Sequence, residues 1–171
     1  MKKFISIITM FVLSVTLLSV PVQARVNKAE VLDALELSDL TPVETISSYE
    51  YDIIEAVEKN MKDFEVILVN SDFYEELHIY ALVPKHKHFL YIADDAYSGD
   101  VESIEFWNEF TGILSESSVL IQTLASQGTK NKYAVMILNP ENYEHFIWMG
   151  FDGEVVYDYV NDINDFDVLL N

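Results

Sequence analysis

The sequence predicts an α+β fold, a mostly antiparallel sheet of about six strands with two main helices on one face. Three observations carry that prediction. Short runs rich in Val, Ile, Leu, Tyr and Phe alternate with turn residues between Phe64 and Val160, which is strand composition. Two segments, one starting at Ser47 and one after Asp100, instead repeat apolar residues every three or four positions, as helices with one buried side do. Finally, Val66-Ile67-Leu68-Val69-Asn70-Ser71-Asp72-Phe73-Tyr74-Glu75 is echoed 69 residues later by Val135-Met136-Ile137-Leu138-Asn139-Pro140-Glu141-Asn142-Tyr143-Glu144, with Val, Asn, Tyr and Glu identical. Each stretch follows a helical pattern, so the chain raises a duplicated helix-plus-three-strand unit, with half-repeats 47–95 and 100–162 and Tyr91 aligned on Tyr157.

The first 24 residues stand apart from the fold. Lys2 and Lys3, the apolar or small run from Phe4 to Val20, and Pro21-Val22-Gln23-Ala24 have the layout of an export signal, with Val at −3 and Ala at −1 of a cleavage point after Ala24. An uncleaved anchor is the competing reading, because about 17–20 apolar residues reach the lower limit of a bilayer span. The small-residue cleavage site favours removal, which predicts a secreted or extracytoplasmic protein without a membrane span. No cysteine occurs in the 171 residues, so disulfides, thiolate metal sites and a lipid-bearing cysteine are ruled out. The expected organisation is a signal peptide (1–24), an N-terminal helix and linker (25–46), and one α+β domain (47–171).

The full chain carries 10 basic and 29 acidic side chains, a formal charge of −19. Without Lys2 and Lys3, residues 25–171 carry −21. Binding to nucleic acid rests on cations that neutralise phosphates, so this balance argues against it. A chain of about 150 residues can bury an ordinary hydrophobic core without covalent staples.

Asn27-Lys28-Ala29-Glu30 has the spacing of a capping box, and Val31, Leu32 and Leu35 extend it as a short amphipathic helix to about Ser38. Thr41-Pro42-Val43-Glu44 leads into β-branched and polar residues that carry a helix poorly, and is expected to turn. Ser47 and Glu50 open a firmer helix through Ile53, Ile54, Val57 and Met61. Phe64–Val69, Leu77–Val83 and His88–Ala93 then predict a three-stranded meander, separated by Asn70-Ser71-Asp72 and Pro84-Lys85. Ser98-Gly99-Asp100 starts a long helix whose stripe includes Ile104, Trp107, Phe110, Leu114, Ile121 and Leu124, with Gly128 stopping it. Gly112 and Ser115–Ser118 predict a bend or break in its middle. Tyr133–Leu138, His145–Met149 and Val155–Val160 are the remaining strands. Asp152-Gly153 joins the last two as a type I′ hairpin, because that turn needs positive φ at both central residues. The acidic tail from Asn161 ends in Phe166, Val168, Leu169 and Leu170, which suit a final docked turn.

On the Leu77–Val83 strand, Leu77, Ile79, Ala81 and Val83 are expected to face the helices, with His78, Tyr80 and Leu82 outward. Together with Phe146 and Trp148, this predicts an open sheet face carrying aromatics.

Catalytic signatures are missing. There is no Gly-x-Ser-x-Gly elbow, no His-Glu-x-x-His helix and no glycine-rich phosphate loop among only five glycines. His86 and His88 would share one side of an extended strand, near His78, and are candidates for a metal. The flanking Lys85 and Lys87 repel a dication, which favours a solvated strand edge instead. Asp94, Asp95, Asp100 and Glu102 are candidate calcium ligands around Gly99, as are Asp158, Asp162, Asp165 and Asp167; neither spacing fits an EF-hand loop, and acids also suit helix starts. The two Asn-x-x-x-Tyr-Glu stretches place Asn70, Tyr74 and Glu75 with Asn139, Tyr143 and Glu144 at matching hairpin ends. With Trp148 they are candidates for contact with a partner, although turn chemistry alone explains the asparagines.

The expected function is therefore a secreted, non-enzymatic binding domain without a cofactor, recognising a protein or cell-envelope component. A small hydrolase using carboxylate or metal chemistry, and a calcium-stabilised structural domain, are the alternatives.

Overall fold

Leu77 to Val83 is apolar at almost every position, and such a strand is stable only with both faces covered. The computed structural model, which describes residues 40–71, 74–127 and 129–164, puts this strand near the middle of a mixed sheet. In chain order the elements are β1 (Leu40–Pro42), α1 (Ser48–Asn60), β2 (Phe64–Ser71), β3 (Tyr74–Pro84), α2 (His88–Tyr97), α3 (Val101–Ala125), β4 (Lys132–Leu138), β5 (Phe146–Phe151), β6 (Glu154–Asp158) and β7 (Ile163–Asn164). The strands lie side by side in sequence order, β1 to β7, with two short edge pieces. Every neighbouring pair is antiparallel except β3 and β4, which are parallel and register His78 with Tyr133 and Leu82 with Ile137. The α+β class, the largely antiparallel sheet and the helices on one face are as expected. The signal segment, the helix expected at Asn27–Ser38, Gly128 and the tail from Asp165 lie outside the described residues.

Helix α1 starts at the expected capping box: Glu50 N–H donates to Ser47 Oγ (3.3 Å) and Ser47 N–H donates to Glu50 Oε2 (2.7 Å). Asp100 caps α3 by accepting from Ser103 N–H at 2.9 Å, a bond that holds its carboxyl below the usual range. Ile53 and Val57 of α1, Leu90 and Ala93 of α2, and Trp107, Phe110, Leu114 and Ile121 of α3 share one core with the helix-facing side of the sheet. Fully burying one such side chain contributes about 1.5–3 kcal/mol, so this layer dominates the stability of the helices.

Several expectations are corrected. His88–Ala93 is not a third strand but the start of α2, because Leu90, Ala93 and Ala96 form a buried helical stripe. The first half is thus a hairpin rather than a meander, and Tyr91 on α2 has no counterpart in Tyr157 on β6. The segment expected to turn contributes β1, paired with β2. On β3 the alternation holds but the facing is inverted: Tyr80 and Leu82 join the helix-side core, whereas Leu77, Ile79, Ala81 and Val83 lie on the opposite side. That opposite side is not an open aromatic face; it is apolar and buried, and Tyr80 and Trp148 are 1% and 0% exposed.

The echo falls on β2 and β4, which run in opposite directions with α1 and α3 on the same side of the sheet. A copied unit would place β5 beside β3, or would set β4 antiparallel to β3. Neither occurs, so the likeness is confined to single strands.

Helix α3 runs unbroken for 25 residues, and its serines explain why. Ser115 Oγ donates to Gly153 O at 2.6 Å, and Gly153 N–H donates to Ser118 Oγ at 2.9 Å. The polar middle of the helix thus holds the Asp152-Gly153 turn, whose φ values of 48° and 88° are the expected type I′ pair.

Gly150 lies under the Trp148 indole, and a Cβ there meets the ring directly. Gly150→Ala is therefore expected to destabilise the protein by about 1–3 kcal/mol through overpacking. Gly112→Ala on α3, where a Cβ meets nothing within 4 Å, is expected to stabilise it by up to about 1 kcal/mol through helix propensity. Urea denaturation of the two variants checks both signs.

Candidate functional site

The buried polar chemistry gathers where the start of α1 meets the sheet. Across β2, β3 and β4 the register aligns Asn70, His78 and Tyr133 in one row. Glu50, 2% exposed, reaches this row from the first turn of α1. Its Oε1 accepts from His78 Nδ1–H at 2.7 Å and from Tyr133 O–H at 2.8 Å, while Oε2 is held by the Ser47 backbone. Asn131 Nδ2–H donates to His78 Nε2 at 3.1 Å, and Thr129 Oγ1 lies 3.2 Å from the Tyr133 hydroxyl.

These partners set the charge states. Burial raises the Glu50 carboxyl, but donors from Ser47, Tyr133 and His78 outweigh it and hold the group below its ordinary value. Burial likewise pushes Tyr80 and Tyr133 up, and the Glu50 charge adds to both shifts. The Tyr80 hydroxyl and Asn70 Oδ1 are buried without a hydrogen-bond partner among the described residues.

A carboxylate on imidazole Nδ1 is half of a general-base arrangement. Here the Asn131 amide nitrogen lies 3.1 Å from Nε2 and 3.3 Å from Nδ1 of the same ring. The cluster ties α1 to the sheet. Its members are 28 and 83 residues apart, and no local pattern links them; the one visible sign is a histidine inside an apolar strand.

The residues singled out from the sequence are dispersed. Asn70 joins the row just described, but Asn139 sits six residues beyond Tyr133 on the exit from β4, about 20 Å further along the strand direction. The two Asn-x-x-x-Tyr-Glu stretches therefore do not form a paired surface. Asn139 Oδ1 accepts from Glu141 N–H and Asn142 Oδ1 from Glu144 N–H, which is turn chemistry. Tyr143 packs against the core on the sheet side away from the helices. Tyr74 belongs to β3, and the side chains of Tyr74 and Glu75 lie outside the described residues. Trp148 is buried and presents nothing to a partner.

The metal candidates are also apart in use. His86 lies in the turn after β3 and His88 opens α2, so they do not share an extended strand. Asp94 accepts from the Tyr159 hydroxyl at 3.1 Å, Asp100 caps α3, and Asp95 and Glu102 are solvent-exposed. Asp158 is spent internally, accepting from Trp107 Nε1–H at 2.9 Å and from the Val160 and Asn161 amides. Among the described residues, no three His, Asp or Glu side chains come together as a metal cluster.

What reaches solvent is the outer side of the helices. Between Lys87 and Lys130 the chain has seven acids and no Lys or Arg. Asp95, Asp100, Glu102, Glu105, Glu109 and Glu116 of that span are all exposed. Tyr91, Tyr97 and Val101 stand beside them, 48%, 61% and 65% exposed, with the Tyr97 ring stacked on Tyr159 at 5.1 Å.

Two predictions follow from the buried cluster. Because the folded-state pKa of Glu50 is depressed, its contribution is present above the unfolded value near 4.5 and is lost as pH falls through the folded value. Glu50→Gln is expected to cost about 1–3 kcal/mol at pH 7 and to close most of that gap in acid, read by denaturation at a series of pH values. Tyr133→Phe is expected to cost about 1–2 kcal/mol, whereas Tyr80→Phe, which removes an unpartnered hydroxyl, leaves stability unchanged or raised; thermal unfolding distinguishes them.

No protein-family model matches the chain, and no curated protein and no solved structure matches it.

Proposed function

We propose that this protein is an exported, non-enzymatic recognition domain that engages a cationic protein or cell-envelope component through the outer side of its helices. The observation that carries this reading is the acidic span from His88 to Thr129, which contains no Lys or Arg and sets exposed tyrosines among exposed carboxylates. Carboxylates attract Lys and Arg over a Debye length of about 10 Å at moderate salt, and tyrosine faces add cation–π contact. Tyrosine also supplies large contact area at small entropic cost, which is why it is enriched in recognition surfaces. The signal-like first 24 residues support a location outside the cytoplasm, and no helix among the described residues is long and apolar enough to cross a membrane. The dispersal of the His and Asp candidates gives no support to the hydrolase and calcium alternatives.

Residues 25–171 are expected to bind a lysine- and arginine-rich peptide, and cationic material from envelope fractions, with affinity falling about tenfold between 50 and 300 mM salt. Combined Glu102→Lys, Glu105→Lys and Glu109→Lys is expected to abolish that binding, and Tyr91→Ala to weaken it several-fold. Calorimetric titration that finds no binding, or binding indifferent to salt and charge reversal, overturns the proposal.

A further inference from the structure

Asp94 and Tyr97 are three residues apart on α2, so their side chains lie side by side on the helix surface. Tyr97 ends the helix and is 61% exposed, yet its ring is not free to wander. It stacks on Tyr159, just beyond β6, with the centroids 5.1 Å apart and 22° between the planes. Tyr159 is fixed in turn: its hydroxyl donates to Asp94 Oδ1 at 3.1 Å and its amide to Ile147 O at 3.0 Å. Burial and the Asp94 charge push the Tyr159 hydroxyl up, so it stays protonated as the donor to that carboxylate. The next two amides, of Val160 and Asn161, donate to buried Asp158. Two tyrosines from distant parts of the chain are thus set as a parallel pair before any partner arrives.

We propose that this pair seats an arginine side chain of the cationic partner, stacked on the Tyr97 ring. The inference rests on the recognition reading above and names its anchor. Charge complementarity selects a cation: Asp95 and Asp100 are exposed at the same end of α2, where Asp100 N–H donates to Asp95 O at 2.9 Å and brings the two residues together. The negative end of the α2 dipole lies there as well. Among the described residues, none of Asp94, Asp95 and Asp100 is paired with a Lys or Arg. Shape then selects arginine over lysine. A planar guanidinium extends a stack of flat rings and offers a fork of donors to carboxylates, whereas an ammonium is a compact, strongly hydrated point charge that does neither. Preorganisation adds to this, because the ordering of both rings is already met by Asp94 and Asp158 and is not charged to binding.

Calorimetric titration of the full chain with two peptides of equal length and charge, Arg-Gly-Ser repeats and Lys-Gly-Ser repeats, tests the seat. The arginine peptide is expected to bind about fivefold tighter. Tyr97→Leu is expected to reduce that preference to less than about twofold, and Tyr97→Phe, which keeps an aromatic face, to retain it. Tyr91→Leu is expected to weaken both peptides alike and leave their ratio unchanged. Circular dichroism confirms that each variant is folded. Salt-sensitive binding of both peptides with equal affinity, or a preference that survives Tyr97→Leu, overturns the arginine seat while the broader recognition reading stands. Failure of both peptides to bind overturns the two together.

Discussion

The parallel pairing of β3 with β4 is the constraint on which the rest of the structure depends. Parallel neighbours cannot be joined by a tight turn; they need a long crossover that returns the chain to the same end of the sheet. Here the crossover is residues 85–131, and it carries α2 and α3. The helical layer exists because those two central strands run the same way. Antiparallel hairpins then extend the sheet on either side, β2 with β3 and β4 with β5 and β6. The helix-side residues of β3 and β4, Tyr80, Leu82, Tyr133, Val135 and Ile137, are the floor on which α3 rests.

How much of this was legible in the sequence depended on whether the deciding physics was local. The Asp152-Gly153 turn was legible because positive φ at two consecutive residues is a property of those residues. The α1 and α3 starts were legible for the same reason, since Ser47, Glu50 and Asp100 act within three residues. His88–Ala93 was not, because a six-residue apolar run fits a strand or one face of a helix, and the stripe Leu90, Ala93, Ala96 acquires meaning only against α3 and the sheet. The facing of β3 was illegible because both of its sides are apolar. The seryl middle of α3 resembled a weak point because its partner, Gly153, is 35 and 38 residues distant. The Glu50 cluster stayed hidden behind a local role: the capping box explained Glu50 before His78 and Tyr133 could claim it.

The distribution of charge separates two jobs. Glu50 and Asp158 are buried and each accepts several donors, which fixes helices to strands. The exposed acids of α2 and α3 have no cation within their own span of sequence, so their field is directed outward. Three buried polar atoms, Asn70 Oδ1, the Tyr80 hydroxyl and Trp148 Nε1, have no hydrogen-bond partner among the described residues.

The grip of α3 on the β5–β6 turn reaches beyond local stability. The type I′ turn already sets the register of the β5–β6 hairpin, and α3 adds a second hold on it. A slip of one residue would carry the Gly153 amide and carbonyl about 3.4 Å along the strand, beyond reach of Ser118 and Ser115 together. Two hydroxyls on α3 thus act as a ruler for strands that follow it in the chain. Alignment of the C-terminal part of the sheet is inherited from the helix that precedes it.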